Sequence, residues 1–401
     1  MRIGFVVQRY GTEVAGGAEA ATRMFATALA RRGHEIRVVT SCATSYDTWS
    51  DSYPPGTTVE EGVEVRRLSV PRPRSQGRFA PLSERVLGRS RVSPIVEAAW
   101  MNEQGPTIPS LREGLTELCE TSDIVAFMTY LYPTTVYGLP AVSEQRPTVL
   151  HPTAHDEPTF RRQVIREVFD RVAGLALFTE EERDLVCRRY RPTCPTAIVP
   201  VGVTFPTTTP QPDRFRQRFD LGDDPYLLYL GRIDPNKGAG ELLSYFRAFG
   251  ERHHERLRLV MVGAEMMEVE RNDRVIVTGF VDEATKWDAL AGSVALVQPS
   301  HQESFSIALV ESWLMERPVI VQRNCAVLDG FTRRARGGIP YGSFGEFEAS
   351  VSSLLESPDL AATLGGNGRR HVVERFGWDT VIDGYVSFLD EVAGTWRTSR
   401  S

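Results

Sequence analysis

The chain has 401 residues, of which 41% are hydrophobic and 24% charged, and a net charge of −6. Such values describe an ordinary water-soluble globular chain with room for two or three domains. The negative balance excludes binding to nucleic acid by bulk electrostatics, so no nucleic-acid partner is expected.

No apolar run is long enough for a membrane span, and the opening run Met1-Arg-Ile-Gly-Phe-Val-Val reads as a first strand, not a secretory leader. The five cysteines (42, 119, 187, 194, 325) are odd in number, scattered and without a CxxC pair, and the seven histidines lack metal-ligand spacing. Reduced thiols, a cytoplasmic setting and no metal site are the expectation.

Short apolar runs alternate with helix-length amphipathic stretches along the whole chain. The strand-like runs of the first half are 3–7, 35–39, 63–68, 124–127, 148–150, 175–178 and 197–199; those of the second half are 226–230, 257–262, 275–277, 294–297 and 318–321. This alternation predicts βαβ units and parallel sheets, and the strands are too many for one sheet of usual size. Between the two series, 205–212 holds three prolines and three threonines and reads as a linker. The reading is α/β: a Rossmann-like domain over 1–205, a second over 213–377, the two facing a central cleft, and a last helix over about 378–395 that returns to the first domain.

Taken in chain order, the first candidate site lies between the opening strand and a helix, in Gly11-Thr-Glu-Val-Ala-Gly16-Gly17-Ala18-Glu19. Gly16 and Gly17 permit close backbone approach of a phosphate or sugar to a helix start, and Glu19 is a candidate contact to an acceptor. The spacing is not GxGxxG, so a dinucleotide fingerprint is missing.

Residues 66–91 carry eight arginines (66, 67, 72, 74, 78, 85, 89, 91) against one acid, Glu84. They form either a flexible solvated insertion or a basic flap that touches anionic lipid headgroups at a membrane's inner face, or a phosphate-bearing acceptor. A helix is expected over 108–118. The run His151-Pro-Thr-Ala-His155-Asp156 ends a strand with polar groups: His155 can donate to an acceptor or a departing group, and Asp156 can orient it or take a proton. His151 is either a further member or a strand cap.

The second half opens with a strand that ends in Gly231-Arg232, followed by Lys237-Gly238. A guanidinium fork and a mobile ammonium at a strand's C-terminal end suit a diphosphate. Thr278-Gly279-Phe280-Val281 ends another strand and offers backbone groups and apolar side chains to a nucleobase. Then come Glu303-Ser304-Phe305-Ser306-Ile307 and Glu311, where a loop enters a helix after an apolar strand. That junction is where open α/β sheets bind ligands, and the helix start offers N–H groups to an anion.

Together, the Gly-Gly-Ala-Glu turn, Gly-Arg…Lys-Gly, the two glutamates eight apart and the Val-Pro-Val-Gly-Val approach at 199–203 resemble the retaining, nucleotide-sugar-dependent glycosyltransferases of family 4, the group 1 type, with the GT-B fold. The resemblance covers nearly the whole chain. It implies that Arg232 and Lys237 bind the donor diphosphate and stabilise it as it leaves. Glu303 would hold the donor sugar's hydroxyls, the N–H groups of Ser304 to Ile307 would meet sugar or phosphate oxygens, and Glu311 would bind the ribose. Gly16 and Gly17 would approach the phosphate side, and His155 would lie near the transferred sugar. A UDP- or GDP-sugar donor, a glycosyl acceptor, no required cofactor and no metal follow, in keeping with the lack of a DxD triplet.

The implied activity is transfer of a hexose to a sugar, lipid-linked or small-molecule acceptor in cell-surface polysaccharide or glycoconjugate synthesis. A nucleotide-sugar epimerase, a phosphorolytic enzyme and a non-catalytic nucleotide-sugar binder stay open as alternatives. Ser304 and Ser306 stand where the family commonly has glycines, Met315-Glu316-Arg317 precedes Pro318, and Val327-Leu-Asp-Gly-Phe331 replaces a usual Gly-x-Pro-Glu; these departures bear on the donor sugar.

Overall fold

In a computed structural model that describes residues 1–14, 16–253 and 256–400, fourteen strands form two sheets. The chain divides into two units, Met1–Gly202 with Trp378–Ser401 (unit 1) and Val203–Gly377 (unit 2).

The unit 1 strands are β1 (Arg2–Val6), β2 (Glu35–Ser41), β3 (Gly56–Glu60), β4 (Val63–Leu68), β5 (Ile124–Met128), β6 (Thr148–His151), β7 (Gly174–Leu177) and β8 (Thr196–Ile198). Their order in the sheet is β3-β4-β2-β1-β5-β6-β7-β8, and every pairing is parallel except the β3–β4 hairpin. Unit 2 holds β9 (Tyr226–Leu230), β10 (Arg258–Val262), β11 (Val275–Gly279), β12 (Ala295–Gln298), β13 (Val319–Gln322) and β14 (Gly338–Tyr341), ordered β11-β10-β9-β12-β13-β14 and wholly parallel.

The central strands are near-continuous apolar runs because both sheet faces are covered. Ile3, Phe5 and Val6 of β1 and Leu227 and Leu228 of β9 are fully buried. Each such side chain contributes roughly 1.5–3 kcal/mol. The helix Gly17–Arg31 lays Ala21, Phe25, Ala26 and Leu29 on the sheet, a stripe at helical spacing.

In unit 1 the strand order reverses between β1 and β5, and in unit 2 between β9 and β12. Loops that leave the C-terminal ends of these neighbours diverge to opposite faces and open a crevice.

Two strands lie outside the expected runs. β3 is an exposed polar edge, and β14 is Gly-Ile-Pro-Tyr, whose Pro340 is tolerated because β14 is an edge strand. The helix expected over 108–118 is Leu111–Thr121. The proline-rich stretch has neither helix nor strand up to Pro212, which opens the helix Pro212–Arg218 at its first position.

The last helix, Trp378–Thr398, belongs to unit 1 and runs a little beyond the expected end. Phe25 meets Trp378 edge-on at 5.5 Å, and the Tyr385 hydroxyl lies 2.8 Å from His151 Nε2. His151 is therefore a core residue; burial lowers its pKa to about 3 and keeps it neutral.

Candidate active site

The loops that leave β9 and β12 flank the unit 2 switch point. After β9 come Gly231, Arg232 and Asp234, whose side chain accepts from the Asn236 N–H at 2.8 Å and starts the short 3-10 turn Pro235–Lys237. Gly238 closes the turn at φ 73°, and a Cβ there would stand 2.2 Å from the carbonyl oxygen of Pro299. Only glycine meets both demands, so the β9 loop presses directly on the β12 loop.

This contact brings Lys237 Nζ to 2.8 Å from Glu303 Oε1, with side chains 32% and 13% exposed. Arg232 Nη2 lies 3.6 Å from Asp234 Oδ2, and its carbonyl accepts from the Tyr229 hydroxyl. Cation, carboxylate and backbone are thus fixed along one rim.

Ser306 caps the helix Ile307–Leu314, its Oγ accepting from the Leu309 N–H at 3.4 Å and from Gln298 Nε2 at 3.3 Å. The ring of Phe305 turns inward and packs edge-on against Phe331 at 5.4 Å, so this residue offers a ligand its backbone alone. Ser304 is buried in the same turn.

One turn into that helix, Glu311 Oε1 accepts from Lys286 Nζ at 2.6 Å. The pair is largely buried, at 14% and 16% exposure. Burial pushes the Glu311 carboxyl up despite Lys286; burial pulls Lys286 down, but Glu311 and Glu283 outweigh it and leave the ammonium raised. At the end of β11, Thr278 donates to the Gly279 carbonyl at 2.9 Å, Val281 is half-buried and the Phe280 ring is 81% exposed.

In unit 1, Gly16 and Gly17 open the helix Gly17–Arg31, and a Cβ on Gly16 would stand 2.1 Å from Glu19 Oε2. Glu19 itself is not a free acceptor-facing carboxylate. It is buried, and its Oε1 accepts from Gln8 Nε2 at 2.7 Å and Arg9 Nε at 2.9 Å. The reason is local: a buried arginine on the preceding loop needs a counter-charge, and the first turn of the helix supplies it. His155 is half-buried in the loop after β6, whereas Asp156 is exposed and accepts from Arg161 at 2.7 Å.

The family model described as glycosyl transferases group 1 matches residues 211–371, and a glycosyl transferase 4-like domain matches 16–202. The chain belongs to the group 1 glycosyltransferases. The capsular polysaccharide biosynthesis glycosyltransferase CapM of Staphylococcus aureus is 24% identical over 189 residues, 43% of this chain and 49% of that relative, so the match spans about half of its length. A D-inositol 3-phosphate glycosyltransferase of Kineococcus radiotolerans is 25% identical over 411 residues, 93% of this chain and 90% of its own. Among solved structures, Anabaena HepE in complex with UDP and glucose superposes with a TM-score of 0.70 at 16% identity, over 97% of this chain and 99% of that one. That likeness is one of fold, GT-B.

In this glycosyltransferase the arginine-rich segment includes the end of a strand and a whole helix. Arg66 and Arg67 lie in β4, Arg78 and Arg85 lie in the helix Gln76–Leu87, Arg72 and Arg74 precede it, and Arg89 and Arg91 lie between it and the helix Pro94–Gln104. Five of the eight arginines have internal partners. Arg66 pairs with Glu117, Arg67 with Glu60 at 2.7 Å, and Arg72 and Arg78 both with Glu103; Arg74 donates to the Gln104 carbonyl at 3.0 Å. Arg85, Arg89 and Arg91 are exposed and form no ion pair among the described residues, and Ile95 beside them is 82% exposed.

Lys286, Gln8 and Arg9 are the site neighbours that sequence reasoning missed. Asp282 and Thr285 mark the start of the helix Glu283–Gly292, but no spacing rule links Lys286 to a glutamate 25 residues on.

Proposed function

We propose that this glycosyltransferase retains anomeric configuration. The proposed reaction moves a hexose from a UDP- or GDP-sugar to a sugar, lipid-linked or small-molecule acceptor in cell-surface polysaccharide or glycoconjugate synthesis. The observation that carries the reading is the Lys237–Glu303 pair at the unit 2 switch point, beside Arg232 and the capped helix start. Unit 2 is the proposed donor domain and unit 1 the acceptor domain.

Breaking the bond between the sugar's anomeric carbon and the diphosphate leaves charge on the diphosphate, while the acceptor oxygen bonds to the anomeric carbon and its hydroxyl proton passes to the departing diphosphate. Arg232 and Lys237 are the groups to offset that charge, each worth roughly 3 kcal/mol by analogy with single oxyanion donors. They do so without a metal ion. Glu303 is assigned to the sugar hydroxyls, Glu311 to the ribose, the N–H groups of Ser304 to Ile307 to sugar or phosphate oxygens, and Thr278 to Val281 to the base. In unit 1, Gly16 and Gly17 are assigned to the phosphate side and His155 to the transferred sugar. Support for a nucleotide-sugar donor comes from HepE, whose structure holds UDP and glucose; support for the pathway comes from CapM, named for capsular polysaccharide.

A cytoplasmic protein in peripheral contact with the inner face of an anionic membrane completes the proposal. Within and beside the basic stretch 66–91, the contact is assigned to Arg85, Arg89, Arg91 and Ile95, and their exposure supports the assignment. No helix among the described residues is long and apolar enough to cross a membrane.

The test is a thermal-shift series with UDP, GDP, ADP and TDP and their sugars, followed by transfer assays with product anomers read by NMR. One nucleotide family should stabilise the protein, the product should keep the donor's configuration, and Lys237→Ala or Glu303→Ala should abolish transfer while the protein stays folded. Full activity in either variant would sink the assignment of roles; an inverted product would sink retention.

A further inference from the structure

Glu182 is 1% exposed and has no part in the reading above. It is the third residue of the helix Glu180–Tyr190, whose cap is Thr179: the Thr179 Oγ1 accepts from the Glu182 N–H at 3.1 Å. In a capping box, a glutamate at this position turns back onto the N–H of the cap residue. Glu182 reaches past it. One carboxylate oxygen accepts from the Phe178 N–H at 2.7 Å, and the other accepts from the Ala154 N–H at 2.6 Å.

The Ala154 donor belongs to the loop that leaves β6, and Phe178 follows β7. Thr153 stands at φ 53°, a left-handed conformation that a threonine holds only when its surroundings impose it. Four residues further on, Glu157 Oε1 accepts from the Tyr130 hydroxyl and from Thr159 Oγ1, both at 2.5 Å, and the Glu157 N–H donates to the His155 carbonyl at 2.9 Å. His155 therefore sits between two pinned points, Ala154 and Glu157. A helix cap alone needs only Thr179; the reach of Glu182 into a different loop is what a cap does not require.

We propose that Glu182 is a positioning residue: its buried carboxylate locks the loop after β6 in the strained conformation that aims the His155 imidazole. The inference rests on the role assigned to His155 in the proposed transfer. Glu182 touches neither donor nor acceptor.

The experiment compares Glu182→Ala, Glu182→Gln and Thr179→Ala with the wild type. It reads kcat, donor KM, the thermal shift given by the cognate nucleotide, and amide hydrogen exchange at residues 153–156. Glu182→Ala is expected to lower kcat by about 10²-fold, the size of effect that follows a misplacement of roughly 1 Å, with donor KM almost unchanged. Glu182→Gln keeps one acceptor oxygen and should fall between, which keeps the test open if the alanine variant does not fold. Thr179→Ala loses the cap and should melt lower but keep its kcat.

Unchanged kcat in both Glu182 variants, an equal loss of kcat in Thr179→Ala, or unchanged exchange at 153–156 would overturn the proposal. Should the wild type show neither transfer nor a nucleotide shift, the functional reading fails on its own account, and the exchange data still decide whether Glu182 pins the loop.

Discussion

Replacing Lys286 by methionine keeps most of the side chain's volume and removes the cation that Glu311 faces at 2.6 Å. Removing one member of a fully buried pair costs about 3–5 kcal/mol, because the remaining charge stays desolvated. Here both side chains keep some 15% exposure, and the second partner of Lys286, Glu283, is exposed and adds little. The expected loss is thus about 2–3 kcal/mol.

The loss has a pH signature. Burial already holds the Glu311 carboxyl above its ordinary range, and without Lys286 it rises further. A carboxyl raised in the folded state contributes stability that is present at low pH and fades as pH climbs through the folded pKa. The Lys286→Met deficit should therefore be larger at pH 8 than at pH 5, and Lys286→Met/Glu311→Gln should recover most of it, with a coupling of about 1–3 kcal/mol. Calorimetry is the assay, since the two units need not melt together. A coupling below about 0.5 kcal/mol at pH 8 would refute the reasoning.

Gly238→Ala should cost more than about 2 kcal/mol, because alanine disfavours φ 73° and its Cβ would meet the Pro299 carbonyl at 2.2 Å; an unchanged melting curve would show that the β9 and β12 loops do not press together. Burial, outweighing the N–H donors of Ala154 and Phe178, raises the Glu182 pKa to about 7. That group's contribution should fall by roughly 2–4 kcal/mol between about pH 4.5 and 7 and then level off, and a urea series in which Glu182→Gln keeps the wild-type slope would contradict it. The protein should sediment with phosphatidylglycerol vesicles at low salt and release at high salt, and Arg85→Glu/Arg89→Glu/Arg91→Glu should abolish binding that Arg72→Ala leaves intact; no binding at low salt would end the membrane reading.

The frame of both sheets was legible because buried parallel strands leave continuous apolar runs, as in β1, β9 and β12. β3 left no such trace: it is an exposed edge, with Val59 pointing to solvent. β14 was hidden by Pro340, which normally argues against a strand. Arg232, Lys237, Glu303 and Glu311 were legible because each sits on, or a turn from, a loop that a strand visibly ends. What could not be read was pairing. The same acidic first-turn position that suits a ligand also suits an internal arginine, and Glu19 proved to serve Arg9. The arginine run likewise looked uniform in sequence, yet Glu60, Glu103 and Glu117, which occupy half of it, come from other elements.

The chain enters unit 1, leaves it for all of unit 2, and returns only at Trp378. During synthesis, unit 2 can thus complete its sheet while unit 1 still waits for the helix that covers Phe25 and His151. For a chain that otherwise folds from its N-terminus, the later unit matures first. A truncation just before Trp378 should spare unit 2, which lies some 175 residues nearer the cut in sequence than the unit it would cripple.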